Sequence, residues 1–157
     1  MPAKDVAWYH GTGGRDVALE DEDGCYLGPL PHVARHSPTG FSWGYNGSGP
    51  ADLAVSLLVD AVGPAAVCTT CAGTNLVTYL RDAEDVTSPY DPAMPLEELE
   101  DRGLAVSRCG EAGCDEGITI LPSACQRFKE QFVAGWPGEW RMHRTEIVNW
   151  YAVEQEG

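Results

Sequence analysis

Four cysteines carry the clearest chemistry in this 157-residue chain: Cys68, Cys71, Cys109 and Cys114. They form a C-x2-C pair and a C-x4-C pair with thirty-seven residues between them. Two clips of two thiols supply the four soft ligands that a tetrahedral zinc ion takes. A four-thiolate site keeps no open position for water or substrate, so the expected role of Zn2+ is structural, at about one ion per chain. The other reading of the same side chains is two reducible disulfides or unrelated thiols, and the C-x4-C clip is the looser of the two. Cys25 and Cys125 lie outside the clips. Both are expected in the core, Cys125 because it stands beside the apolar row Ala124, Phe128 and Phe132.

Other chemistry-bearing residues are less informative. His32 and His36 are four apart, as a helix-borne metal pair would be, but Pro31 and Pro38 flank them and favour extended backbone. Structural roles are expected for these two and for His10 and His143. Gly47-Ser48-Gly49 opens a helix and would present N–H groups to an anion. Pro50 lacks an N–H and no lysine follows at P-loop spacing, so a packing turn is expected there. Phe41, Trp43 and Tyr45 alternate, which places them on one face of extended backbone. No lysine or arginine interleaves them, so core packing is expected rather than base stacking. Paired carboxylates with a helper histidine are absent at every helical spacing, and no catalytic residue is assigned.

The elements that must position these residues follow from periodicity and punctuation. Val6 to His10, Asp16 to Glu20 and Gly24 to Leu27 read as strands, joined by a turn at Gly11–Gly14 and an acidic tip at Asp21–Gly24. A helix is expected from Pro50 to Val62, capped by Ser48 or Gly49 and stopped by Gly63-Pro64. Asp52, Ser56 and Asp60 form a narrow polar stripe on an otherwise apolar cylinder, as in a mostly buried helix. Asn75 to Leu80 and Leu104 to Arg108 are strand-like, the first following the first clip and the second leading into the other. That order, knuckle–strand–strand–knuckle, builds a zinc ribbon. An acidic arm, Arg81 to Pro95, and a short helix, Leu96 to Arg102, lie between them. Helices are expected again from Ser123 to Ala134 and from about Thr145 onward.

Residues 37–54, Ser37-Pro38-Thr39-Gly40-Phe41-Ser42-Trp43-Gly44-Tyr45-Asn46-Gly47-Ser48-Gly49-Pro50-Ala51-Asp52-Leu53-Ala54, resemble the signature SPTGFxWGYxGSGPAxLA. That signature marks a small uncharacterised domain of prokaryotes and their viruses. Trp8-Tyr9-His10-Gly11, Gln126-Arg127-Phe128-Lys129, and Trp140 with Glu146-Ile147 and Trp150 are similar to its other conserved pieces. The resemblance covers about residues 8–62 and 119–151, and it implies no activity. It also implies a short connection between the two helices, where this chain carries residues 65–118. The expected architecture is therefore α+β. A small antiparallel β ribbon packs on two to three helices over residues 1–64 and 119–157, with a four-cysteine zinc ribbon inserted at 65–118.

Net charge is −14, which argues against coating nucleic acid by counterion release. Two lysines and eight arginines share the positive charge. Such acidity arises either from a halophilic or high-GC background or from function, by docking on a basic partner or imitating a nucleic acid. The insert carries eleven Asp and Glu against Arg81, Arg102 and Arg108, net −8, whereas nucleic-acid-binding ribbons are usually basic. The leading expectation is a non-enzymatic zinc-binding interaction module that docks on a protein partner through this acidic ribbon. The alternatives are a DNA-mimic inhibitor from a virus or mobile element, a virion structural protein, and a small-ligand enzyme using the Gly47–Gly49 turn. Met1 to Tyr9 lacks an apolar leader and no run spans a bilayer, so a cytoplasmic or virion location without membrane contact is expected.

Overall fold

A computed structural model describes residues 6–156 except 34, 36, 38, 67, 69, 70, 73, 74, 83–85, 92, 112, 113, 115 and 116. In chain order its elements are β1 (Trp8–Thr12), β2 (Asp16–Glu20), β3 (Tyr26–Pro29), α1 (Ser48–Val62), β4 (Leu76–Leu80), β5 (Val86–Pro89), α2 (Leu96–Asp101), β6 (Leu104–Arg108), α3 (Pro122–Gln131), β7 (Trp140–His143) and α4 (Arg144–Glu156). Short 3-10 turns follow α1 and α3. The content is α+β with antiparallel sheets. The chain divides into two compact units, Met1–Pro64 with Ile120–Gly157, and Ala65–Thr119.

The first unit holds a four-stranded sheet in the order β3-β2-β1-β7. Alternation along β1 sends Tyr9 and Gly11 inward, and the register aligns Tyr9 with Leu19 and Met142, and Gly11 with Val17 and Trp140. Leu19, Met142, Val17 and Trp140 are all buried. The first turn begins at Gly13 rather than Gly11. Gly13 and Gly14 take left-handed φ of 63° and 79°, and β1 runs on through Thr12. The acidic tip closes as expected: Asp21 Oδ1 accepts the N–H groups of Asp23 and Cys25, each at 2.9 Å. Sequence periodicity did not reveal β7: Trp140 and Met142 are buried and alternate with Arg141 and His143, but a run of four residues is too short to stand out.

Helix α1 begins two residues before the expected Pro50, with Gly47 as its N-cap and no side-chain cap. Leu53, Leu57, Leu58 and Ala61 have no exposed surface. It packs against α3 and α4. Phe128, Phe132 and Trp150 form an aromatic cluster with centroids 5.0–6.3 Å apart.

In the second unit β4 pairs antiparallel with β6, Leu76 opposite Arg108 and Leu80 opposite Leu104. The acidic arm contributes β5, an unexpected strand that pairs with the other side of β4. Leu99, Leu104, Val77, Ile118 and Ala66 are buried here. Among the described residues this apolar set is small, and the cysteines are a large share of the interior they form.

Candidate metal centre

The four thiols gather at one end of the β4–β6 pair. The first clip precedes β4, and Cys109 follows β6 directly. The Cys109 N–H donates to Asn75 O at 2.8 Å, so the ladder runs one rung past Leu76 and carries Cys109 to the first clip. Ala72 and Asn75 adopt left-handed φ of 52° and 65°, turning the chain between Cys71 and β4. Asparagine tolerates this conformation, whereas alanine costs on the order of 1 kcal/mol there. The Cys68 N–H donates to Gly117 O at 3.0 Å, and the Thr119 N–H donates to Ala66 O at 2.9 Å. These bonds close the base of the unit.

All four Sγ atoms lie within 4.8 Å of one another. The Cys68–Cys109 and Cys71–Cys114 pairs are each 3.9 Å apart. A tetrahedron with metal–sulfur bonds of about 2.3 Å has edges of about 3.8 Å, so the spacing fits one ion. Cys68 and Cys71 are buried and Cys109 and Cys114 half-buried. Around them Val77 is the buried hydrophobic neighbour. The Gly117 N–H points at Cys114 Sγ at 3.2 Å, the kind of donor that steadies a coordinating thiolate. Among the described residues, this is the group of His, Cys, Asp or Glu side chains close enough to hold an ion.

The thiols suit a cation electrostatically. Burial, and hydrogen bonding with the other three sulfurs, push the Cys114 thiol up to about 12 despite the opposing Gly117 N–H. At Cys109 the backbone contact with Glu111 pulls downward, but burial and the contacts with Cys68 and Cys71 leave the thiol above its ordinary value. A positive charge among the sulfurs would oppose that rise at Cys109 and Cys114, and a coordinated metal is such a charge. The donor set and its spacing are compatible with a metal site.

The remaining sequence candidates fall elsewhere. Cys25 is exposed, contrary to expectation, because it lies in the acidic turn ahead of β3. Cys125 is half-buried on α3. The expected partner of His32, His36, lies outside the described residues. His32 Nε2 donates to Asp52 at 2.8 Å, and its ring packs against Phe41. The aromatic row does not share one face. Trp43 is buried against Trp140, Phe41 is half-buried, and Tyr45 is 51% exposed with its hydroxyl 2.7 Å from Ser42 Oγ. Bends from Gly44 to Gly47 break the extended backbone that alternation requires. Ser48 and Gly49 line a polar cavity of about 340 Å³ with Arg15, Ser37, Thr39 and Ser42.

Two constellations were not read from the sequence. Asp52, with no exposed surface, accepts the N–H groups of Arg35 (3.1 Å) and Ser37 (2.9 Å) besides His32. One turn further, Ser56 Oγ accepts the Val33 N–H at 2.9 Å. At the end of the stripe, the Tyr9 hydroxyl donates to Asp60 at 2.7 Å. Burial and the Asp60 charge push that phenol far up. The signal was present: a carboxylate on a buried helix must find donors. On the outer face of the sheet His10 Nδ1 meets Glu20 at 2.8 Å and Nε2 meets Glu139 at 2.7 Å. Arg141 also reaches Glu20 at 2.9 Å and covers the Trp8 ring at 4.4 Å. His10 and Glu139 are 129 positions apart, and no local pattern joins the cluster.

No helix among the described residues is long and apolar enough to cross a membrane. No curated protein and no solved structure matches the chain. A family model matches residues 9–91, from β1 through β5. The match takes in the segment at 37–54, runs past residue 62 through the first cysteine clip, and stops before the second. Since it spans more than half of the sequence, the chain belongs to the family of unknown function DUF6166.

Proposed function

We propose that this protein is a non-enzymatic interaction module whose Ala65–Thr119 unit is closed by one structural zinc ion on Cys68, Cys71, Cys109 and Cys114 and docks on a protein partner. The observation that carries the zinc reading is the convergence of four sulfurs within 4.8 Å from clips on either side of a strand pair. Four thiolates favour zinc over hard cations, and a closed site favours structure over catalysis. The net −8 of residues 65–118, which becomes more negative with a tetrathiolate zinc, supports docking on a basic protein surface.

Metal analysis of protein purified under reducing conditions tests the first half: one zinc per chain is expected, and none with four titratable thiols overturns it. For the second half, crosslinking and mass spectrometry in the native host compare the full chain with one whose residues 65–118 are replaced by a short linker. A partner held only by the full chain, with binding that weakens as salt rises, is expected. Capture by both chains removes the acidic unit from the contact. If duplex DNA displaces the partner, the protein is a nucleic-acid mimic instead.

A second reading rests on the cavity beside the helix start, whose lining among the described residues includes Arg15 and several hydroxyls and no carboxylate. It supports recognition of a small polar ligand. Arg15→Ala and Ser48→Ala, with the fold intact, would then weaken binding of a ligand found by screening, and unchanged binding removes this reading.

A further inference from the structure

We infer that the cysteine tetrad holds two interchangeable staples: under oxidation zinc leaves, and disulfides Cys68–Cys109 and Cys71–Cys114 keep the same unit closed. This rests on the metal reading above and adds a redox response to that site.

Three features of the site carry the inference. The two sulfur pairs at 3.9 Å both cross from one clip to the other. Each pair also joins a half-buried cysteine to a buried one: Cys109 to Cys68, and Cys114 to Cys71. An oxidant reaches the half-buried sulfur first and the buried partner resolves the product, a division seen wherever an accessible thiol sits beside a resolving cysteine. Finally, the pairs span 41 and 43 positions, so each bond ties the segment before β4 to the segment after β6. Bonds within the clips would leave those segments unlinked once zinc is lost.

With hydrogen peroxide as oxidant the chemistry balances. The thiolate of Cys109 attacks the O–O bond, becomes a sulfenic acid and releases hydroxide. Cys68 then attacks that sulfur, the S–S bond forms and a second hydroxide leaves. Two protons from the buffer acid turn both hydroxides into water. Cys114 and Cys71 repeat the sequence. Two peroxides thus take four electrons from four thiolates and free one zinc ion. A thiol reductant with added zinc reverses the change.

The test uses the full-length, zinc-loaded chain carrying Cys25→Ser and Cys125→Ser to prevent scrambling. Zinc release is followed with a chromophoric chelator, disulfides by non-reducing digestion and mass spectrometry, and closure of the unit by limited proteolysis. The expected result is release of the zinc with two peroxides consumed and the two cross-clip bonds as the main products. Cleavage within residues 65–119 should run about tenfold slower than in chelator-stripped, reduced protein. The idea is overturned by Cys68–Cys71 and Cys109–Cys114 bonds, by sulfinic acids in place of disulfides, by zinc retained on intact thiols in excess peroxide, or by oxidised protein cut as fast as the stripped form. The unsubstituted chain should give the same two cross-links, which keeps the result independent of the double variant. Zinc content of the reduced protein reports separately on the metal reading. Oxidation of metal-free protein reads the pairing without it.

Discussion

Asp52 is the residue on which the 32–37 segment hangs. Its carboxylate, without exposed surface, gathers two backbone N–H groups and His32 Nε2. Asp52→Ala strands all three donors, and a loss of about 3 kcal/mol is expected from such an uncoupling. Urea unfolding measures it, and a loss below about 1 kcal/mol, the size of a neutral hydrogen bond, contradicts the hub role. His10 titrates in a different setting. Burial pulls its imidazole down, but hydrogen bonds to Glu20 and Glu139 and their charges outweigh it, leaving the group above its ordinary 6.5. Two carboxylate acceptors, one on each ring nitrogen, select the doubly protonated ring. Glu20 moves the opposite way: burial raises it, and bonds from His10 and Arg141 bring it below 4.5. The raised group contributes stability that is complete below about 6.5 and is lost as pH rises through its folded value. The lowered group contributes stability present above about 4.5 and lost on acidification. The outer-face cluster is therefore strongest between those limits, and stability should fall from pH 6 toward pH 8. His10→Gln should flatten that fall in thermal unfolding scans. An unchanged slope would place the pH dependence in other groups.

Strand pairing in the first unit depends on a close approach. A Cβ on Gly11 would lie 2.1 Å from Trp140 Nε1, across the β1–β7 register. Gly11→Ala must push the buried indole out of its place against Trp136 and Trp43, at a cost of about 1–3 kcal/mol. Trp140→Phe removes the crowding Nε1, a buried donor with no partner among the described residues. The double variant should then lose less than the sum of the singles, and additive losses would show that the two positions do not clash. In the second unit the cysteines lie at one end of the β4–β6 pair. Among the described residues, Val77 is the buried aliphatic side chain packed with the cysteines. Cys71→Ser, at a site with no exposed surface, should lose the metal and melt β4–β6 pairing while β1–β3 and β7 persist. Backbone amide exchange resolves the two regions, and retained protection in β4 and β6 counts against a metal staple.

At the scale of the whole molecule, the two compact units make different demands. Residues 1–64 and 120–157 include a helix with ten buried positions and can be stabilised by burial of apolar surface. The described residues of 65–119 include few apolar interior side chains and a tetrad in their place. Chelation should therefore give one early melting transition in the second unit and leave the transition of the first in place. A single merged transition would show that the units fold as one. Much of this organisation was legible in the chain. Spacing alone identified the two clips and their flanking strands, and β6 appeared at its observed bounds, because clips and strands are local patterns of a few residues. The burial of α1 was readable for the same reason, from a narrow polar stripe on an apolar cylinder. Strands β5 and β7 were not, since four-residue edge segments are defined by the neighbour they pair with. The exposure of Cys25, the splitting of the aromatic row and the donors around Asp52 also depended on tertiary placement. The sequence by itself determined which residues could hold a metal and the order of the elements around the two clips, β5 excepted. Only the tertiary structure decided that two clips thirty-seven residues apart meet within 4.8 Å, because that meeting depends on the antiparallel register of β4 and β6, a long-range pairing that no local spacing encodes.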